Sequence, residues 1–118
     1  MRTAKKERKD NFMRFYEAFL NGNSRKAAIV IERADSSNPN IQRCRFWAVP
    51  SSLAYHSPVV IAESTFGISG CFIEMLGFIK PEICAQKTFF EDGFNDWLKR
   101  TFHFSISHND GLVLMLEK

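Results

Sequence analysis

The sequence lacks the motifs by which most catalytic and metal-binding sites are recognised. It contains no CxxC pair, no HxH or HExxH segment, no GxGxxG and no glycine-rich loop that ends in Lys-Ser or Lys-Thr. Its three cysteines, Cys44, Cys71 and Cys84, are odd in number and widely spaced. That spacing argues against a disulfide framework and favours a reducing compartment. We therefore expect a protein that is not an enzyme and that has no cofactor and no bound metal.

A long uncharged apolar run is also missing. The most apolar stretch, residues 58–79, contains Glu63 and Glu74. Two carboxylates inside a lipid bilayer would cost several kcal/mol, so this stretch is expected to be core and not a membrane span. Residues 1–9 are too polar for a signal peptide, because no apolar segment follows the basic start. The sequence thus predicts a cytoplasmic protein without membrane contact.

What is present is enough for one globular domain. The 118 residues can bury a single core, and 45% hydrophobic with 25% charged residues is a globular balance. Most of the twelve phenylalanines must be inside, because each buries a large apolar area. We predict a domain over residues 10–118. A basic arm at residues 1–9 precedes it, either flexible or forming the exposed first turns of a helix.

Charge is unevenly distributed along the chain. Residues 1–49 carry eleven Lys/Arg against five Asp/Glu, a net of +6, and residues 50–118 carry five against eight, a net of −3. Such asymmetry is typical of proteins that bind nucleic acid or an acidic partner. A solvated tail with ordinary surface lysines would give the same numbers.

An amphipathic helix is predicted near the N-terminus. Phe12, Phe15 or Tyr16, and Phe19 recur at a spacing of three to four residues, which is the period of one helix face. Asn21-Gly22-Asn23 should end the helix, because Gly and Asn tolerate the left-handed conformation found at helix ends.

Residues 24–34 fit two structures. If Asn23 or Ser24 caps a second helix, the chain opens with a helix–turn–helix. The segment FLNGNSRKAA, residues 19–28, then resembles the opening of small DNA-binding domains such as those of phage small terminase subunits. In that family the first helix ends in a Gly-Asn turn before an alanine pair. This alternative implies a mostly helical fold with DNA-binding activity.

The other structure is a strand over Lys26–Arg33. Ile29, Val30 and Ile31 are β-branched and lose rotamer freedom in a helix. A Ser/Asn/Pro loop at residues 36–40 leads to a second β-like run at residues 41–49, which offers a hairpin partner. In that second strand, period two places Arg43, Arg45 and Trp47 on one face, and Gln42, Cys44, Phe46 and Ala48 on the other. We favour the hairpin.

The C-terminal half supplies the remaining elements. Residues 59–62 form either a short buried strand or the first turn of a helix, and residues 69–79 form a helix that Pro81 ends. Thr88-Phe-Phe-Glu91 has the pattern of a capping box that opens another helix. Residues 102–117 are predicted as a hairpin with its turn at residues 108–111. The fold class is therefore α+β, with two hairpins in one small antiparallel sheet packed by an N-terminal helix and two later helices.

The candidate catalytic residues give a weak case for an enzyme. His103 and His108 lie near Asp110 in sequence, but five residues along a strand place the two histidines on opposite faces. His56 has no ligand spacing to either. Cys44 has arginine neighbours, yet its side chain should point to the face opposite those arginines. These residues are more simply explained by packing and solvent exposure.

The basic residues are the main functional candidates. A sheet face with two arginines and a tryptophan could stack bases and neutralise phosphates. The sequence predicts a small non-enzymatic protein that contacts nucleic acid through its basic N-terminal half. The alternative is an inhibitor or adaptor, such as a phage or mobile element would encode, docking an acidic protein surface. The predicted contact residues are Lys5, Lys6, Arg8, Lys9, Arg14, Arg25, Lys26, Arg33, Arg43, Arg45 and Trp47.

Overall fold

The residues that the structure describes form three helices and five strands. The computed structural model describes residues 3–34, 42–49, 57–82, 89 and 91–118. The elements are, in chain order, α1 (Lys5–Asn21), β1 (Lys26–Ala34), β2 (Arg43–Ala48), β3 (Val59–Ser64), α2 (Gly67–Ile79), α3 (Phe94–Phe102), β4 (Ser105–Asn109) and β5 (Val113–Glu117). They form a single α+β domain with one antiparallel sheet, which confirms the predicted fold class.

Helix α1 has the predicted apolar face and ends at the predicted place, but the left-handed conformation expected there is absent, because Gly22 is extended with φ of −83°. Phe12, Phe15, Tyr16 and Phe19 are buried, and the helix stops at Asn21. Residues 5–9 form its first turns, one of the two structures expected for the basic segment.

Residues 26–34 are a strand, so the helical alternative is wrong. β1 pairs antiparallel with β2, with Val30 opposite Trp47 and Ala34 opposite Arg43. The helix–turn–helix, and with it the resemblance to terminase openings, is excluded by this hairpin. The physical reason is the β-branched run, in which Ile29 and Ile31 are buried while Val30 between them faces solvent.

Strand β1 lies at the centre of the sheet, between β2 and the C-terminal strand β5. The strand order is β3-β2-β1-β5-β4, and β1 pairs with β5 from Lys26 opposite Glu117 to Val30 opposite Val113. Residues 59–64 form edge strand β3, the first of the two structures expected there, and β3 pairs with β2. The two hairpins are thus halves of one sheet.

Two boundaries in the C-terminal half differ from the prediction. α3 begins at Phe94, after Gly93 with φ of 79°, and has no side-chain cap. A helix cannot run through that left-handed residue, so it does not open at residues 88–91; Thr88 and Phe90 of the predicted capping box lie outside the described residues. Phe102 ends α3 and does not start a strand. The following turn is also displaced, because β4 continues to Asn109.

The core lies on one face of the sheet, beneath the three helices. Ten of the twelve phenylalanines are buried; Phe66 is 80% exposed and Phe90 lies outside the described residues. Inward-facing Ile29, Phe46 and Leu114 belong to the same buried cluster as the helix phenylalanines. Tyr16 links α1 to α3 by donating its hydroxyl to the Phe102 carbonyl at 2.8 Å, and burial raises the pKa of Tyr16.

Helix α2 ends before Pro81, as predicted. Among the helices described, none is both long enough and apolar enough to span a membrane.

Candidate interaction surface

The second face of the sheet, opposite the helices, carries an exposed apolar band. Cross-strand partners share a face, and Val30 lies between Trp47 on β2 and Val113 on β5. In the next row Ala28 lies opposite Met115. Val30 is 54% exposed, and the side chains of Trp47, Val113 and Met115 are half-buried. We call this surface the open face, and its apolar band consists of Ala28, Val30, Trp47, Val113 and Met115.

Ion pairs border the band at both ends. At one end Arg45 Nε lies 2.7 Å from Glu63 Oε1, and Arg45 Nη1 lies 3.6 Å from Glu32 Oε1. At the other end Lys26 Nζ lies 3.5 Å from Glu117 Oε2. The charges of the open face are therefore largely paired with one another, and they lie outside its apolar centre.

Trp47 is held in place by its surroundings. Its indole N–H donates to Glu32 Oε1 at 3.1 Å, across the β1–β2 pair. The register between β2 and β3 shifts between Phe46 and Trp47, and such a bulge bends a strand and re-aims the adjacent side chain. The tryptophan is thus a positioned aromatic group at the edge of the band.

An open cavity of about 730 Å³ extends the apolar surface toward α1. Its lining includes Val30 and Trp47 of the band, together with Phe15, Phe19 and Val49. Beside the cavity β1 has β5 as its neighbour: it pairs with β2 from Val30 onward, and within the described ranges its first residues pair with β5 alone. The open face and the cavity therefore adjoin each other at Val30 and Trp47.

The structure divides the predicted basic residues between the two sides of the sheet. Lys5, Lys6, Lys9 and Arg14 are on α1, on the helix side. Lys26, Arg43, Arg45 and Trp47 are on or beside the open face. Of the other predicted contacts, Arg25 donates to the Lys118 carbonyl at 2.9 Å and Arg33 to the Gly111 carbonyl at 3.0 Å. No single patch contains them all.

Arg8 is buried, although its neighbours in sequence are exposed. Its Nε lies 2.6 Å from Glu74 Oε1 and its Nη1 lies 3.2 Å from Glu63 Oε2; Nη1 also donates to the Thr3 carbonyl. Glu63 accepts from both Arg8 and Arg45, so it connects α1 to the border of the open face. Glu63 and Glu74 are missing from the predicted set. The available signal was two carboxylates in an otherwise apolar stretch, since buried carboxylates need a cation.

The described cysteines are buried and lie together beneath the sheet. Cys44 faces the core, as its strand position predicts, and Cys71 Sγ donates to the Cys44 carbonyl at 3.1 Å. A hydrogen bond with the Cys44 thiol, together with burial, raises the pKa of Cys71. Cys71 is therefore a poor nucleophile, because the thiolate is the reactive form. The hydrogen bond with Cys71 lowers the pKa of Cys44, but the Cys44 side chain is buried in the core. Cys84 lies outside the described residues.

The two described histidines lie at the end of α3 and in β4. His103 is the left-handed C-cap of α3, not a strand residue, and its backbone N–H donates to the Lys99 carbonyl at 3.0 Å. His108 Nε2 lies 3.2 Å from Asp110 Oδ2, both side chains being exposed. Hydrogen bonds from the Val113 and Leu112 backbone, then His108, lower the pKa of Asp110 to about 2. Within the described part of the chain, no three His, Cys, Asp or Glu side chains are grouped for a metal; His56 lies outside it.

The chain matches no protein-family model, no curated protein and no solved structure. No relative therefore assigns a role to any residue of the open face. Its role has to be inferred from its geometry, exposure and charge.

Proposed function

We propose that this protein is a non-enzymatic protein-interaction module, an inhibitor or adaptor, that binds another protein through its open face. One observation carries the proposal: the apolar band is exposed at its centre, at Val30, and is bordered by ion pairs at both ends. Protein interfaces have this arrangement, with an apolar centre depleted of charge and a polar rim.

Burial of the band supplies the driving force for binding. Apolar surface removed from water contributes about 25 cal/mol per Å², and the band and the adjoining cavity present such surface continuously. Tryptophan is among the residue types most enriched in interface hot spots, and Trp47 is already oriented by its bond to Glu32. The paired charges at the rim would contribute mainly to specificity and association rate.

Charge pairing makes the open face a poor phosphate site. Arg45 already lies against Glu32 and Glu63, and Lys26 lies against Glu117. A phosphate would have to compete with these carboxylates for the same cations. The pairing of Arg45 and Lys26 therefore favours a protein ligand over a nucleic acid at the open face.

Substitution at the centre of the band tests the proposal. Val30→Asp places a charge in the middle of the open face, and Leu112→Asp makes a similar change at another exposed residue, in the β4–β5 turn. We expect the wild-type protein and Leu112→Asp to capture the same partner from native lysate after nuclease treatment. Val30→Asp should bind that partner at least about tenfold more weakly, a cost of roughly 1.4 kcal/mol.

Retention of the partner by Val30→Asp with unchanged affinity would overturn this assignment. Circular dichroism of each variant establishes that the fold is intact. If Val30→Asp alone fails to fold, Val30→Thr is the second test, because it adds a hydroxyl at nearly constant volume and suits a strand.

Nucleic-acid binding through α1 is a second proposal, favoured by a separate observation. Lys5, Lys6 and Lys9 are exposed on the first turns of α1, and none has an ion pair with a residue in the described ranges. Glu7 and Asp10 lie among them, so the helix surface is mixed in charge. Phosphate binding by these lysines would weaken steeply as salt rises.

The triple substitution Lys5→Glu, Lys6→Glu, Lys9→Glu tests this second function. If α1 contacts phosphates, the wild-type protein should shift DNA or RNA at low salt and the variant should not. Absence of any shift by the wild-type protein at low salt would remove the nucleic-acid proposal and leave the open-face proposal untouched.

A further inference from the structure

We propose that the protein partner of the open face is a second copy of this chain, and that two copies pack open face to open face about a twofold axis. This inference rests on the proposed function, because it names the partner of the same surface. It is carried by the order of the outward residues along β1, the central strand of the sheet.

The outward side of β1 is complementary to itself when reversed. From Lys26 to Glu32 the outward residues are Lys26, Ala28, Val30 and Glu32. A cation lies at one end of this segment and an anion at the other, and the small Ala28 and the larger Val30 lie between them. A twofold axis that lies between the two sheets, perpendicular to the strands and at the level of Ile29, places β1 antiparallel over β1 of the second copy. Lys26 then faces Glu32, and Ala28 faces Val30, with each contact made twice.

Strand β5, which pairs with β1, is complementary to its own copy in the same way. Val113 pairs with Val30 and Met115 pairs with Ala28, so both lie one row from the axis. The axis therefore sets Val113 of one copy close to Met115 of the other. The contact is apolar at its centre and charged at its ends, as in the single open face.

Sheet dimensions allow a contact of sufficient size. Strands about 4.8 Å apart make the five-stranded sheet about 24 Å wide, and the seven residues from Lys26 to Glu32 extend over roughly 20 Å, which gives on the order of 500 Å² of flat area. Because side chains project from the sheet, its accessible area is larger than this flat area and approaches the roughly 800 Å² per partner of a standard interface. Face-to-face sheets pack about 10 Å apart, within reach of opposed Lys and Glu side chains at the rim.

Charge reversal distinguishes this partner from any other. Lys26→Glu places a second carboxylate opposite Glu32 in a homodimer, and Glu32→Lys places a second ammonium group opposite Lys26. Each variant alone should therefore dimerise at least about tenfold more weakly than the wild-type protein. When the two variants are mixed, one of the two rim contacts pairs the two introduced charges and the other restores the native pair of Lys26 with Glu32. The mixture should therefore form a heterodimer that is tighter than either variant homodimer.

The measurement is the molar mass of the purified full chain by analytical ultracentrifugation over a concentration series. One chain has a mass of 13.6 kDa, and the expected wild-type species has twice that mass. Lys99→Glu is the matched control, because it makes the same charge change on the exposed side of α3 and should leave the dimer unchanged. Val30→Asp should give the monomer.

A wild-type protein that stays monomeric up to millimolar concentration would overturn the inference. A dimer that ignores Lys26→Glu, Glu32→Lys and Val30→Asp would also overturn it, because its contact would then lie elsewhere. The proposed function is tested separately. If the protein is monomeric and Val30→Asp abolishes its capture of another protein, the proposed function stands without the dimer. If the protein is monomeric and Val30→Asp leaves capture unchanged, both proposals are wrong.

Discussion

Arg8 shows how far the surroundings of a residue can differ from its sequence context. The run Lys5-Lys6-Glu7-Arg8-Lys9 is uniformly polar, yet only Arg8 is on the buried side of α1. Its guanidinium makes two bonds to Glu74, at 2.6 and 3.2 Å, and one to Glu63. The planar fork of arginine suits this bidentate contact, which the ammonium of lysine cannot reproduce.

Arg8→Ala should destabilise the protein strongly. Its removal leaves the nearly buried carboxylates of Glu63 and Glu74 without their shared cation, and loss of one partner from a buried ion pair costs about 3–5 kcal/mol. Urea unfolding measures the change, with Lys9→Ala as the exposed control, for which we expect less than about 0.5 kcal/mol. Equal effects of the two substitutions would show that the buried network does not support the fold.

Asp110 should make the stability of the β4–β5 turn depend on pH. Its Oδ1 accepts from the Leu112 and Val113 N–H groups at 2.9 and 2.8 Å, and the folded pKa is about 2. Because this pKa is below the unfolded value of roughly 3.9, the carboxylate stabilises the folded state above about pH 4. That stability is lost as the pH falls through about 2.

The measurement is urea unfolding of wild type and Asp110→Ala across this pH range. The stability difference between them should shrink as the pH falls from about 4 to about 2. Asn109→Ala is the control, because its Oδ1 accepts from the Gly111 N–H but does not titrate, so its effect should be constant. A difference for Asp110→Ala that stays constant with pH would contradict the assigned cause.

At the scale of elements, α3 is bounded by two left-handed residues. Gly93 precedes it with φ of 79°, and His103 follows it with φ of 67°. Glycine adopts this conformation without cost, whereas a residue with a Cβ is strained by about 1 kcal/mol. The N-terminal boundary therefore has a suitable residue and the C-terminal boundary does not.

His103→Gly should stabilise the protein by roughly 0.5–1 kcal/mol, because glycine is the preferred residue at a left-handed helix C-cap. The matched control is Arg100→Gly, three residues earlier in exposed helix, which should destabilise by about 1 kcal/mol. Thermal unfolding of both variants measures these two changes in stability. Destabilisation by His103→Gly would indicate that the histidine side chain makes a contact that outweighs the backbone strain.

At the scale of the molecule, β1 makes one cooperative unit from the two hairpins. It pairs with β2 on one side and with β5, at the far end of the chain, on the other. The phenylalanines of α1 also reach the C-terminal half, as in the edge-to-face pair of Phe19 and Phe104. The buried side chains of both hairpins belong to one core cluster.

Unfolding should therefore be two-state. Trp47 reports on the open face, whereas Trp97 packs between Phe94 and Phe102 in α3. In Trp47→Phe and in Trp97→Phe, the fluorescence of the remaining tryptophan should change with urea together with the far-ultraviolet circular dichroism. An earlier fluorescence transition in the variant that retains only Trp97 would show that the α3 region unfolds separately.

Local chemistry was sufficient for most of the fold. The spacing of the aromatic residues in α1 and the β-branched run of β1 each predict their element correctly. Asn-Gly-Asn predicts where α1 ends, although Gly22 is extended and not left-handed. Period two in β2 also places Cys44 and Phe46 inside and Arg43, Arg45 and Trp47 outside, as the structure shows. These features depend on residues a few positions apart, so the sequence determines them directly.

Long-range pairing decided the rest. Nothing near Arg8 in the chain reveals Glu63 and Glu74, which reach it only after β3 and α2 have packed against α1. The start of α3 is likewise set by the left-handed conformation of Gly93, which overrides an apparent capping signal. Above all, only the register of β1 with both β2 and β5 assembles Val30, Trp47 and Val113 into one exposed band. Residues far apart in sequence form a surface only through tertiary structure, because burial on one face of a shared sheet decides which of them remain on the other.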